Sequence, residues 1–131
     1  MLTSLSIKNF ALIEKLDIDF SENFSIITGE TGAGKSILLG ALGLVLGKRA
    51  DLSSLKNKEE KCVIEAQFDI ARYNLESFFE ANDLDFEKET IIRREILSSG
   101  KSRAFVNDSP VNLQELQELG EYLIDIHSQH Q

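Results

Sequence analysis

The chain opens with two short stretches in which apolar and polar positions trade places. Leu2–Ile7 alternates loosely and Leu12–Phe20 alternates well towards its end, the period of a half-buried strand. Ser21-Glu22-Asn23 supplies a turn, and Phe24-Ser25-Ile26-Ile27-Thr28 is a β-branched apolar strand running directly into a glycine-rich loop. From Ser36 to Leu46 the chain is apolar on nearly every side, which predicts a buried helix. Gly40 and Gly43 let that helix pack closely against a sheet, and Gly47 is placed to cap it.

Asp51–Lys61 is polar with mixed charge and reads as a mobile loop. Cys62–Ile70 returns to strand, and Asn74–Asn82 reads as a short helix around Leu75, Phe78 and Phe79. Thr90–Leu97 and Arg103–Val106 predict a hairpin across Ser98-Ser99-Gly100-Lys101, followed by a turn at Asn107-Asp108-Ser109-Pro110. Leu113, Leu116 and Leu119 are spaced as one face of a helix, which Gly120 is expected to end. Tyr122–Ile126 is then read as a final strand. The order predicts an α/β fold in which an antiparallel subsheet accompanies a nucleotide-binding one. The 131 residues are read as a single domain.

Composition narrows the function. A hydrophobic content of 42% and a charged content of 27% describe an ordinary globular domain, and no apolar run is long enough to span a bilayer. The N-terminus lacks the pattern of a secretory signal. The one cysteine, Cys62, can form neither an internal disulfide nor a cysteine-based metal site, which favours a reducing cytoplasm. A net charge of −8 argues against a broad nucleic-acid surface. The basic spots Lys48-Arg49, Arg93-Arg94 and Lys101-Arg103 are read as solvated surface.

The chemistry lies in Gly29-Glu30-Thr31-Gly32-Ala33-Gly34-Lys35-Ser36, which matches G-x-x-x-x-G-K-[ST] in full. Its glycines let the backbone curl so that successive N–H groups face phosphate oxygens, and the following helix adds its positive end. Lys35 is placed for the β- and γ-phosphates, and the Ser36 hydroxyl for Mg²⁺. A nucleoside triphosphate, ATP with Mg²⁺, is the expected ligand. Hydrolysis also needs an acid at a second strand end. The only nearby imitation, Asp125, is followed by Ile126 and so would not stand at the end of its strand. Gln129, directly after that strand, could ligate Mg²⁺ or position a water, or be a solvated terminal amide. His127 and His130 lack the acidic or cysteine partners of a metal site.

With these motifs in place, the chain resembles the N-terminal part of the RecN family of SMC/ABC-type ATPases along essentially its whole length. Met1–Ile13 looks like the family's opening and Thr28–Ser36 like its phosphate loop. Gly47–Asp51, Arg103–Asn107 and Ile124–His130 are similar to later landmarks. The resemblance implies a P-loop NTPase fold, the N-terminal lobe of a split ATPase head over residues 1–131. It implies that Gln129, ahead of Gln131, is the Q-loop glutamine on Mg²⁺ and the attacking water. Lys8, Asn9 and Phe10 would line the base and ribose side of the nucleotide, and Arg49 could act near nucleotide or DNA once heads pair. Ser128 departs from the family's usual glycine. A coiled coil, a signature motif, an Asp-Glu Walker B strand and a switch histidine are absent. The implied partners are ATP, DNA through the full-length protein, and a second head, with no membrane and a cytoplasmic, nucleoid-associated location. The implied work is DNA double-strand-break repair and recombination, with this lobe inactive alone. The alternatives are a compact P-loop kinase or GTPase, and a non-catalytic nucleotide-binding interaction module.

Overall fold

A computed structural model describes residues 1–20 and 32–128. The predicted strand Phe24–Thr28, the first three residues of the glycine loop, and Gln129, His130 and Gln131 lie outside the described residues.

Among the described residues, six strands form one sheet: β1 Leu2–Phe10, β2 Ile13–Asp19, β3 Cys62–Asp69, β4 Glu89–Ile96, β5 Ser102–Val106 and β6 Ser109–Val111. Their spatial order is β2-β1-β3-β4-β5-β6, and every pairing among the described residues is antiparallel. This is the expected antiparallel subsheet. The alternation is cleanest in β3, where Cys62, Ile64, Ala66 and Phe68 are buried and the intervening residues are not. Leu5 and Ile7 of β1, Ile92 and Ile96 of β4, and Ala104 and Val106 of β5 complete one buried face. The other face carries the polar set.

Helix α1, Gly32–Val45, and helix α3, Leu113–Ser128, contribute Ala41, Leu44 and Val45, and Leu116, Leu119 and Leu123, to the same core. α1 is less enclosed than its sequence suggests. Leu39 is 59% exposed, while Ile37, Leu38 and Leu42 are partly buried against the core. The Lys48 N–H donates to the Gly43 carbonyl and the Gly47 N–H to that of Leu44, with Gly47 at φ 108°. This closing pattern uses a left-handed glycine as the cap, as predicted.

The second half of α3 corrects the sequence reading. Gly120 does not end a helix, and Tyr122–Ile126 is not a strand: the helix runs through both to Ser128. Leu116, Leu119 and Leu123 form one buried stripe with helical period, and Gly120 lies on it for a packing reason. A Cβ there would overlap the Leu46 carbonyl at the end of α1. At the other end, the Asn112 side chain accepts from the Glu115 N–H at 2.7 Å while the Glu115 carboxylate accepts from the Asn112 N–H at 3.0 Å. That reciprocal cap was legible as N-x-x-E ahead of a leucine stripe.

Two smaller corrections concern turns. Pro110 belongs to the edge strand β6, where its missing N–H costs nothing. The turn itself is Asn107-Asp108, at φ 48° and 68°, the two-residue geometry suited to a tight hairpin. The stretch Asp51–Lys61 holds a 3₁₀ turn, Leu52–Ser54, and a buried Leu55. Helix α2, Glu76–Ala81, inserts Phe79 into the core. Phe78 meets Tyr122 of α3 edge to face at 5.6 Å.

Candidate nucleotide site and family

Among the described residues, the phosphate-loop segment Gly32-Ala33-Gly34-Lys35-Ser36 forms the N-terminal turn of α1. Gly34, Lys35 and Ser36 are exposed, and no acidic side chain stands in that turn. The first N–H groups of a helix have no carbonyl within it to bond, and its dipole is positive at that end. The arrangement therefore suits an anion, and the Lys35 ammonium adds charge to it. Glu30 and Thr31, like Gly29 before them, are outside the described residues.

The Lys8-Asn9-Phe10 segment closes β1 beside the same helix. The Phe10 ring lies against Gly40, whose absent side chain would stand 3.4 Å from it. Gly40 is one turn beyond Ser36, about 6 Å along the axis. Phe10 is buried, so it shapes the wall beside α1 from within. Asn9 is 4% exposed and takes φ 57°, which asparagine tolerates better than most residues. Its amide nitrogen donates to the Asn57 and Glu60 carbonyls at 3.0 Å, and its oxygen accepts from the Asn57 N–H at 2.7 Å. Those bonds tie down the 51–61 stretch that sequence alone left mobile. Lys8 is exposed on the polar face of the sheet.

The far end of α1 is anchored by a residue that sequence reading placed on the surface. Arg94 is 1% exposed, on the buried face of β4. Its guanidinium donates to the Leu44 and Lys48 carbonyls, both at 2.7 Å, and to the Ser102 hydroxyl at 3.2 Å. A cation at the negative end of a helix, bonded to a carbonyl of its last turn, is favourable. Burial pulls its pKa down from the usual value, yet a guanidinium stays charged. The Gln117 amide of α3 donates to the Gly47 carbonyl at 2.9 Å, so the turn leading to Arg49 is held from two sides.

Asp125 lies on α3 rather than on a strand, and His127 and Ser128 close that helix. Among the described residues no group of His, Cys, Asp and Glu is placed to hold a metal ion. The Cys62 thiol is buried and its pKa is pushed up to about 11, so it is unreactive at neutral pH. No helix among the described residues is long and apolar enough to cross a membrane.

A helix that begins in the phosphate-loop motif and packs on an antiparallel sheet is an arrangement shared with solved SMC and RecF structures. The chain overlays a head from work on ATP-driven dimerisation and DNA-stimulated activation of SMC ATPases, with a TM-score of 0.68 at 22% identity. That match covers 94% of this chain and 79% of the other. It also overlays RecF bound to ATP, a recombination mediator of the RecFOR pathway, with a TM-score of 0.57 at 19% identity, covering 85% and 27%. These likenesses show the fold. The chain belongs to the RecF/RecN/SMC N-terminal domain family, whose model matches residues 1–126. Within it, the DNA repair protein RecN of Vibrio cholerae is 47% identical over 131 residues, 99% of this chain. The chain spans about a quarter, 24%, of that relative's length.

Proposed function

We propose that this chain is the phosphate-binding lobe of a RecN-like ATPase head acting in DNA double-strand-break repair and recombination. The observation that carries the reading is the complete loop Gly29–Ser36 running into the exposed N-terminal turn of α1, in a chain of the RecF/RecN/SMC family. Backbone N–H groups of the loop and Lys35 hold the ATP phosphates. The Ser36 hydroxyl and the Gln129 amide ligate Mg²⁺, and Gln129 also orients the attacking water. Lys8 is the member of Lys8-Asn9-Phe10 with a side chain free to touch the nucleotide, while Asn9 and Phe10 shape the wall behind it. The acid that activates water and the signature motif come from elsewhere in the full-length protein, and from a second head paired across ATP. DNA is engaged by that assembly in the cytoplasm, at the nucleoid.

A compact kinase or GTPase would need Asp125 as a strand-end acid on Mg²⁺. The helix that holds position 125 counts against it. A non-catalytic module with a vestigial loop is disfavoured by the intact Lys35 and Ser36. The test is ATP turnover by the purified 131-residue chain. The expected result is negligible hydrolysis, and substantial turnover abolished by Lys35→Ala would contradict the split-site reading.

A further inference from the structure

The end of α1 is where contacts from the sheet and from α3 converge. Arg94 of β4 donates to the Leu44 and Lys48 carbonyls. From α3, the Gln117 amide donates to the Gly47 carbonyl at 2.9 Å, and Gly120 faces the Leu46 carbonyl. The approach is close on both sides. A Cβ on Gly47 would stand 2.6 Å from the Gln117 Cγ and 2.9 Å from its Cα. A Cβ on Gly120 would overlap the Leu46 carbonyl oxygen and lie 3.1 Å from its carbon. Two glycines, one from each side, thus let backbone meet backbone where the two helices touch.

The apolar stripe Leu116, Leu119 and Leu123 buries α3 against the core. Burial is non-directional, so on its own it sets no register along the helix. A hydrogen bond and a backbone contact do, because each holds only at a fixed distance. From this joint the two helices extend as arms. At 1.5 Å per residue, Ser36 stands about 15 Å from Leu46 along α1, and Ser128 about 12 Å from Gly120 along α3. Ser36 is the hydroxyl assigned to Mg²⁺, and Gln129 follows Ser128 in the chain. A tilt of about 5° at the joint moves the end of a 12 Å arm by about 1 Å, and a misplacement of that size can cost about 100-fold.

We infer that this glycine-lined contact is the joint that registers α3 against the phosphate-loop helix, with Gly120 and Gln117 as positioning residues for the metal ligands Ser36 and Gln129. The inference rests on the nucleotide reading proposed above. Arg94 fixes the end of α1 to the sheet, and the joint then fixes α3 to α1. The phosphates need only α1 and its loop. The metal needs both arms, so a disturbed joint weakens the contribution of Mg²⁺ and spares the binding of the phosphates.

The test is ATP calorimetry on the full-length protein, with Mg²⁺ and with EDTA, read as the ratio of the two affinities. Gly120→Ala should lower that ratio about tenfold, as changes behind metal ligands do, and leave the EDTA affinity within about twofold of the parent. Gln129→Ala should lower it at least as far. Gln117→Leu, which loses the donor, should lower it in the same direction, and Gln117→Lys, which keeps a donor at that reach, should restore it. A chain that is merely destabilised would show a lower binding stoichiometry at an unchanged ratio. An unchanged ratio in both Gly120→Ala and Gln117→Leu, or equal losses with Mg²⁺ and with EDTA, would overturn the inference. No ATP heat from the parent, or a parental ratio in Gln129→Ala, would bring down the nucleotide reading and the inference with it. A shift in Gln129→Ala alone would bring down the inference and leave that reading standing.

Discussion

Replacing Arg94 by methionine removes a side chain that bonds the sheet to the end of α1. The guanidinium makes two 2.7 Å bonds to the Leu44 and Lys48 carbonyls and a longer one to Ser102. Charge-assisted bonds of this kind contribute about 1.5–3 kcal/mol each. Against them stands the cost of burying a guanidinium, several kcal/mol, which methionine avoids while filling similar space. The variant, however, strands the Lys48 carbonyl without its Arg94 donor and leaves the helix end without its cation. We expect a net loss of about 2–4 kcal/mol, and about half that for Arg94→Lys, which keeps the charge but not the fork. Urea unfolding of the chain measures it. With a slope near 2 kcal/mol per molar, the midpoint should fall by about 1–2 M at unchanged slope. An Arg94→Met midpoint within about 0.25 M of the parent, about 0.5 kcal/mol, would refute the reasoning, because desolvation would then cancel the bonds.

Three further outcomes follow from the geometry. Gly120→Ala should destabilise the chain in the same unfolding assay: helix propensity alone favours alanine by about 1 kcal/mol, but the new methyl overlaps the Leu46 carbonyl. A stabilised variant would mean the two helices do not touch there. Asn9→Ala should cost about 1–3 kcal/mol and speed hydrogen exchange across residues 51–61, and unchanged exchange would show that the stretch holds itself. Burial alone would raise the Glu95 pKa, but the Arg103 hydrogen bond and the charges of Lys61, Arg103 and Arg93 outweigh it and hold the group below its ordinary 4.5. A depressed carboxylate stabilises above its unfolded pKa, and that contribution fades as pH falls from about 4.5 through the folded value. Glu95→Gln should flatten the acid limb of a stability–pH curve, and an unaltered limb would assign it to other carboxylates.

Much of the sheet was legible because its strands bury one face only, so Cys62–Asp69 and Glu89–Ile96 carry a readable period of two. The motif at Gly29–Ser36 stands out in the sequence because its chemistry demands particular residues at fixed spacing, and its residues from Gly32 on begin α1. The misreadings were all contextual. Gly120 serves a close approach rather than a helix end, a distinction that depends on Leu46, 74 positions earlier. Arg94 looks like a surface polar residue until the helix end that it bonds is placed beside it. The apolar run of α1 suggested burial on every side, while Leu39 stands exposed. Asp125 and its neighbours were given a strand by local pattern, and the leucine stripe running to Leu123 kept them helical instead.

The central claim is that Gly29–Ser36 is a working half of a composite ATP site. Calorimetry of Mg²⁺-ATP on this lobe reunited with the C-terminal half of its head tests it most directly. The account predicts a saturable heat of binding that Lys35→Ala abolishes while the head stays folded. No heat from the parent head, or the same heat from the Lys35→Ala variant, would contradict it.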